Sequence, residues 1–362
     1  MGAVGSIYGP LLIAFADRFH KSVPAAGIVI SVNSVGALIG VLLAWWCIKK
    51  LSGAAALMSA ATLLGVGAFG AAVAKPWTLF LVAVLGVGVG FGGLDFSLNS
   101  LLARTTEKGR ALRMNLTNAG YGVGAVVGPL LIIALHPRHF PVIFSIIGGA
   151  GLLVATLNRG VHAPALAGDA NQREISKRRA ERRPILLTFV LAYILYISVE
   201  TSASGWMATQ IHGVGFSETT GSFVTAGFWA GLTVGRVFGT PLYHRLSHKR
   251  LVLGGLSAAA VLCALAYWNT LALYAYPLLG VVLALVFPMG LIWYTHLCRH
   301  DGDGLAWILL FMMAGGVIGP GIESLMVSAF SVHVVPLVIV GLALAALAVF
   351  ASALRFKPLT PR

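Results

Sequence analysis

From Arg159 to Pro184 the chain reads RGVHAPALAGDANQREISKRRAERRP, its only long hydrophilic stretch. Six apolar segments of about twenty residues precede it and six follow, divided by short loops. A run this polar cannot enter hydrocarbon, where backbone and charged groups find no partners, so it must join two membrane-embedded halves. Its basic residues outnumber Asp169, Glu174 and Glu181, which places it on the cytoplasmic side by the positive-inside rule. A basic arm for nucleic acid is the other reading of such a run. Lipid-soluble flanks argue against it, and no nucleic-acid partner is expected.

The apolar segments fall at 1–16, 25–48, 54–73, 77–102, 111–135 and 140–158, then 185–208, 219–243, 251–268, 270–297, 304–329 and 332–354. The internal ones are long enough to cross about 30 Å as helices. With the linker inside, 21 of the 25 Lys and Arg residues face the cytoplasm and four (Arg18, Lys21, Lys75, Arg138) face out. A missed or invented helix would scramble that bias, so charge supports hydropathy. At 58% hydrophobic and 10% charged, the chain is expected to be an all-α membrane protein. It should have twelve transmembrane helices as two six-helix bundles, 1–158 and 185–362, joined by the linker 159–184. Both termini should be cytoplasmic, in the inner membrane. The net charge of +14 is then a matter of topology. Cys47, Cys263 and Cys298 lack metal-ligand spacing and are expected to be free thiols. No metal and no cofactor is expected.

The halves resemble each other. Gly36–Leu51 (GALIGVLLAWWCIKKL) aligns with Gly231–Leu246 (GLTVGRVFGTPLYHRL), and Val127-Gly128-Pro129 with Ile318-Gly319-Pro320. These pairs match the second helix with the eighth and the fifth with the eleventh, as in an internally duplicated transporter. By the same register the counterpart of the seventh helix would begin upstream of Met1. The first helix is therefore expected to be cut short, the natural start lying further upstream.

This plan resembles the major facilitator superfamily over essentially the whole length. Gly235-Arg236-x-x-Gly239, followed by Arg245 and Lys249-Arg250, is similar to that family's basic loop motif. The matching first-half loop keeps Gly40, Lys49 and Lys50, with Ala44-Trp45-Trp46 where the family often has an acid. Two stretches resemble the fucose–proton symporter branch and related bacterial transporters. One is the run Tyr196–Glu200 (YISVE) with Trp206. The other is Leu94-Asp95-x-x-x-Asn99, with Asn115 and the glycine ladder from Gly120 to Gly128. Gly124-x-x-x-Gly128-Pro129 also resembles a drug–proton antiporter motif, whose closing glycines are replaced here by Leu130-Leu131-Ile132.

Three acids fall inside apolar segments: Asp95, Glu200 and Glu323. A carboxylate near the bilayer centre costs roughly 2.5–3.5 kcal/mol on insertion scales, so it must face a polar cavity, find a partner or hold a proton. That is the requirement for proton coupling. Asp95 lies roughly 13 Å from the cytoplasmic boundary, with Asn99 one turn on. Glu200 lies about 24 Å along its helix, on a stripe with Tyr193, Tyr196 and Ser204. No Lys or Arg is expected at their depth, Arg236 lying near the cytoplasmic end. Glu323 suits either a cavity or an outer rim. Asn99 and Tyr196 are candidate substrate contacts, as are Asn115 and Asn118, which could equally be glue between helices. Tyr121, Trp206, Trp293 and Tyr294 are candidate stacking surfaces for a sugar ring, or packing. Gly36, Gly40, Gly124, Gly128, Gly231, Gly235 and Gly319 form bare helix faces where the resemblance implies that the halves rock on one another, with Arg236 beside them.

The sequence therefore reads as a secondary active transporter, a monomer working by alternating access, that takes up a small polar solute such as a sugar with protons. Proton-driven efflux of drug-like or amphipathic compounds is the alternative. No Ser/His/Asp, metal or phosphate-loop constellation calls for an enzyme.

Overall fold

The computed structural model describes residues 1–50, 52–103, 107–158, 179–239, 245–298 and 301–359. Inside helices, the side chains of 103, 107–112, 114–115, 179–181 and 302 lie outside that description. So does the greater part of the expected linker, 159–178.

The described residues are helical throughout. The first half supplies α1 (Gly2–Phe19), α2 (Ile28–Lys50), α3 (Gly53–Val73), α4 (Trp77–Ala103), α5 (Glu107–Leu135) and α6 (Phe140–Leu157). The second supplies α7 (Arg179–Gly213), α8 (Glu218–Phe238), α9 (His248–Leu265), α10 (Asn269–Leu283), α11 (Val286–Leu297), α12 (Gly302–Phe311), α13 (Gly315–Ala329) and α14 (Val335–Ser352). The helices stop where local chemistry stops them. His20 leaves α1 in the left-handed region at φ 53°. Ser52 caps α3 by accepting the Ala55 N–H at 3.0 Å. Asp301 caps α12 by accepting the Gly304 N–H at 3.0 Å. Lys75-Pro76 and His136-Pro137 separate helices as their sequence indicates.

Among the described residues, ten helical stretches are long and apolar enough to cross a membrane. They match ten of the twelve expected segments. The other two, α1 and α8, are helices outside that ten. Asp17 and Arg18 end the short α1, and Glu218, Arg236 and several hydroxyls dilute α8. Boundaries shift by a few residues, most at α7, which starts at Arg179, inside the expected linker, because Ala180, Glu181 and the arginines are good helix formers even where they are too polar for lipid. The expected segments 270–297 and 304–329 are each divided, the first into α10 and α11 and the second into α12 and α13. Large apolar side chains stand exposed along the spans, among them Val66, Val73, Val82, Leu157 and Leu325. Water would not tolerate that coat, whereas lipid is its solvent.

Two compact units emerge, Met1–Gly168 with Ser217–Ala226, and Asp169–Phe216 with Gly227–Arg362. The first is centred on Phe15, Phe80, Phe140 and Phe144, with Phe15 5.0 Å from Phe80 and 5.1 Å from Phe140. In the second, Phe189 meets Trp293 edge-on at 5.7 Å and Phe350 at 5.9 Å, tying α7 to α11 and α14.

The duplication seen in the sequence reappears as duplicated packing. In the first unit Gly36 and Gly40 of α2 press on the backbone of α4 at Leu85 and Val89. In the second, Gly231 and Gly235 of α8 press on α10 at Pro277 and Val281. Likewise Gly124 and Gly128 of α5 lie against Gly2, Ala3 and Ser6 of α1, while Gly319 of α13 lies against Ser198 and Ser202 of α7. At Gly40 a Cβ would run into the Val89 carbonyl oxygen, so only glycine permits this approach. The bare face of each of these glycines is thus occupied by a helix of its own unit.

Candidate functional site

Each unit carries a polar focus around an intramembrane carboxylate. In the first, α4 presents Asp95 half-buried, with Asn99 exposed one turn further. The Asn99 amide donates to Asp95 Oδ1 at 3.2 Å and to the Asp95 carbonyl at 2.9 Å. Among the described residues this neutral amide is the partner that holds the carboxylate. Asn118 is exposed on α5, and Tyr121 is half-buried, its hydroxyl lying against Gly5 of α1. The Asn115 side chain lies outside the described residues. Deeper in this unit the Tyr8 hydroxyl donates to Asn33 Oδ1 at 3.1 Å, joining α1 to α2. That pair escaped the sequence reading because neither residue is charged.

In the second unit the Tyr196 hydroxyl donates to Glu200 Oε2 at 2.6 Å, with the Leu283 carbonyl a longer contact at 3.4 Å. Glu200 is half-buried and Tyr196 fully buried. Arg236, expected near the cytoplasmic end, acts electrostatically on Tyr196. The stripe on α7 turns out to be largely structural. Tyr193 is fully buried and donates to the Phe287 carbonyl at 2.6 Å, while Ser204 is buried and donates to the Thr201 carbonyl at 3.5 Å.

Glu323 is not at an outer rim. It is 0% exposed inside the second unit, and neither carboxylate oxygen has a hydrogen-bond partner. Gly315 of α13 rests on Ile194 and Ser198, and Gly319 rests on Ser198 and Ser202. Four residues on α13 thus match four on α7, and the same register brings Glu323 level with Trp206. Ser202 Oγ, Trp206 Nε1 and Thr209 Oγ1, along this part of α7, are also buried without partners. Cys263 and Tyr276 lie within electrostatic reach of Glu323. Tyr276 donates to Gln210 Oε1 at 2.8 Å, and Gln210 donates to the Ala266 carbonyl at 3.2 Å. Gln210 went unread in the sequence, although a lone amide in an apolar helix was a signal.

The aromatic candidates divide differently. Trp206, Trp293 and Tyr294 are fully buried. Trp293 stacks on Phe350 at 6.3 Å. Tyr294 donates to Asp301 Oδ2 at 2.6 Å, and Asp301 faces Arg182 at 3.9 Å. Among the described residues that is the one ion pair, and it ties the start of α7 to the α11–α12 turn. The cysteines are free, as expected.

Comparison with known proteins follows the same lines. Residues 1–300 match the family described as the Major Facilitator Superfamily. The glucose/mannose transporter GlcP of Bacillus subtilis (strain 168) is 26% identical over 310 residues, covering 80% of this chain and 76% of its own. The crystal structure of the E. coli fucose:proton symporter FucP aligns with a TM-score of 0.66 at 20% identity, covering 97% of this chain and 95% of that one. A D-xylose–proton symporter aligns with a TM-score of 0.84 at 14% identity, covering 99% and 94%. At those identities the structural likenesses carry the fold.

Proposed function

This chain belongs to the major facilitator superfamily, and from that premise we propose that it is a secondary active transporter that takes up a small polar solute, a sugar, together with protons. Twelve helices as two six-helix halves, 1–158 and 185–362, would carry an alternating-access cycle about the linker 159–184. The observation behind the reading is the same in both units: an intramembrane carboxylate held by one neutral hydrogen bond, Asp95 by Asn99 and Glu200 by Tyr196. Among the described residues neither is in an ion pair, so each is free to exchange a proton with an adjoining polar space. Asn99, Asn118 and Tyr121 are the side chains best disposed to meet sugar hydroxyls. The buried Trp206, Trp293 and Tyr294 are assigned to packing instead. GlcP, FucP and the xylose–proton symporter, sugar transporters by name, support this substrate class.

The test is a proton-flux assay on the purified chain in liposomes. Addition of D-glucose, D-mannose, D-xylose or L-fucose outside is expected to alkalinise the medium as sugar and protons enter together. Proton movement opposite to the solute, driven by hydrophobic cations and not by sugars, would replace this reading with efflux.

The loop charges orient the chain, with the linker and both termini in the cytoplasm of a cell whose inner membrane holds the protein. His212→Cys, at the exposed end of α7, is expected to react with an impermeant thiol reagent from outside. Lys177→Cys is expected to react only after permeabilisation. Labelling of both from outside would overturn the orientation argument.

A further inference from the structure

A groove of about 170 Å³ runs between α2 and α3 with α4 as its floor, lined by Gly40, Leu43, Cys47, Ser59, Leu63 and Gly93 among others. Its origin is the small-residue packing of this unit. Gly40 sits on the α4 backbone and Gly93 sits beside Ala60 of α3, so α4 comes close to both neighbours without side chains that could fill the space between them. The lining is almost wholly apolar. Its two polar side chains offer little, since the Ser59 hydroxyl already donates to the Ala56 carbonyl at 3.1 Å and Cys47 is a thiol beside it. A sugar would find nothing to bind there, whereas a hydrocarbon chain fits.

One end of the groove is built differently. Leu43, Cys47 and Lys50 follow i, i+4, i+7 spacing, so the stripe of α2 that lines the groove ends in an ammonium group. Beside it the Lys49 ammonium stands over the Trp45 ring at 3.8 Å. Trp45 and Trp46 are 46% and 53% exposed, as befits rings at a membrane–water interface. Opposite, α3 begins at the Ser52 cap and adds the positive end of its helix dipole. An apolar slot within the span therefore opens at interface depth onto two cations and a helix N-terminus.

We propose that this groove is a binding site for an anionic glycerophospholipid, with an acyl chain between α2 and α3 and its phosphate headgroup at Lys49 and Lys50. Charge complementarity selects the occupant, since a zwitterionic lipid fills the slot equally well but gains little from the two lysines.

The experiment uses the full chain in detergent, titrated with phosphatidylglycerol or with phosphatidylcholine of identical acyl chains. Bound lipid is counted by native mass spectrometry, and folding is checked by circular dichroism. The wild type is expected to retain phosphatidylglycerol about 10- to 30-fold better, from two lysines near the headgroup plane. Lys49→Gln with Lys50→Gln should abolish that preference. Ser59→Phe, which fills the groove from its exposed side and leaves the charges in place, should weaken retention of both lipids. Lys249→Gln with Arg250→Gln, in another basic loop, should change nothing. Equal retention of the two lipids by the wild type overturns the proposal. So does an unchanged Ser59→Phe variant, or a loss of preference in the Lys249/Arg250 variant as large as in the Lys49/Lys50 variant.

Discussion

Asp95→Asn is expected to end uphill accumulation of sugar while leaving binding and exchange between equal pools close to wild type. The substitution keeps the shape of the side chain, and the Asn99 amide can still donate to its carbonyl oxygen, as it does to Asp95 Oδ1 at 3.2 Å. What it removes is the group that can carry a proton. A pH difference of one unit supplies about 1.4 kcal/mol, enough for roughly tenfold accumulation by a one-proton symporter. In liposomes with such a gradient the variant should only equilibrate its substrate. Glu200→Gln distinguishes the two foci. Tyr196 at 2.6 Å can donate to an amide oxygen as to a carboxylate, so the geometry survives there too. If Asp95→Asn still concentrates sugar with the wild-type dependence on pH, Asp95 is not the carrier. Glu200→Gln should then show the uncoupled behaviour in its place.

Glu323→Met is expected to make the protein more resistant to heat. The carboxyl is fully buried and neither oxygen has a partner. An unsatisfied buried polar group costs about 1–3 kcal/mol, which an apolar side chain of similar length does not incur. A thermal melt of the purified variant should move upward by a few degrees, and Glu323→Gln, still polar, should move less. A lower melting temperature for Glu323→Met would mean that the carboxyl contributes favourable interactions in the folded protein, and would overturn the expectation. The transport assay on the same variant supplies the second reading. A more stable protein that no longer transports would place Glu323 among residues kept for function at a cost in stability.

How much of this was legible in the sequence depended on range. Hydropathy locates helices because lipid leaves the backbone few alternatives, and Ser52 and Asp301 begin helices, while Lys75-Pro76 and His136-Pro137 separate them, through chemistry contained in a few residues. The pairing of Asp95 with Asn99, and of Tyr196 with Glu200, follows from one-turn spacing and needed no tertiary information. The glycine repeats located real contacts, but the sequence could not say which helix each bare face meets. The position of Glu323 was unreadable for the same reason, since its surroundings come from α7, α9 and α10. The interruption between α10 and α11 was readable in principle. Pro288 lacks the N–H that would bond the Ala284 carbonyl, and the helix breaks at Ala284-Leu285.

The interruptions in the second unit lie where α7 attends to them. Around the break between α10 and α11, the carbonyls of Leu283 and Phe287 accept from Tyr196 and Tyr193. After the 3-10 turn Met312–Ala314, which divides α12 from α13, the Gly315 carbonyl accepts from Ser198 and, at 3.5 Å, from Thr201. Hydroxyl groups rotate, so they can follow a carbonyl as it tilts, whereas a helical N–H is fixed to its own backbone. Bending either span at its break therefore exposes no new polar group to lipid, and the restoring force is that of a swivelling hydroxyl. In the first unit α2 to α6 each run as one continuous helix, pressed backbone to backbone at Gly36 and Gly40. The two units thus differ in where their spans are divided although they share a packing pattern: two spans of the second are interrupted beside α7, and α2 to α6 of the first are not.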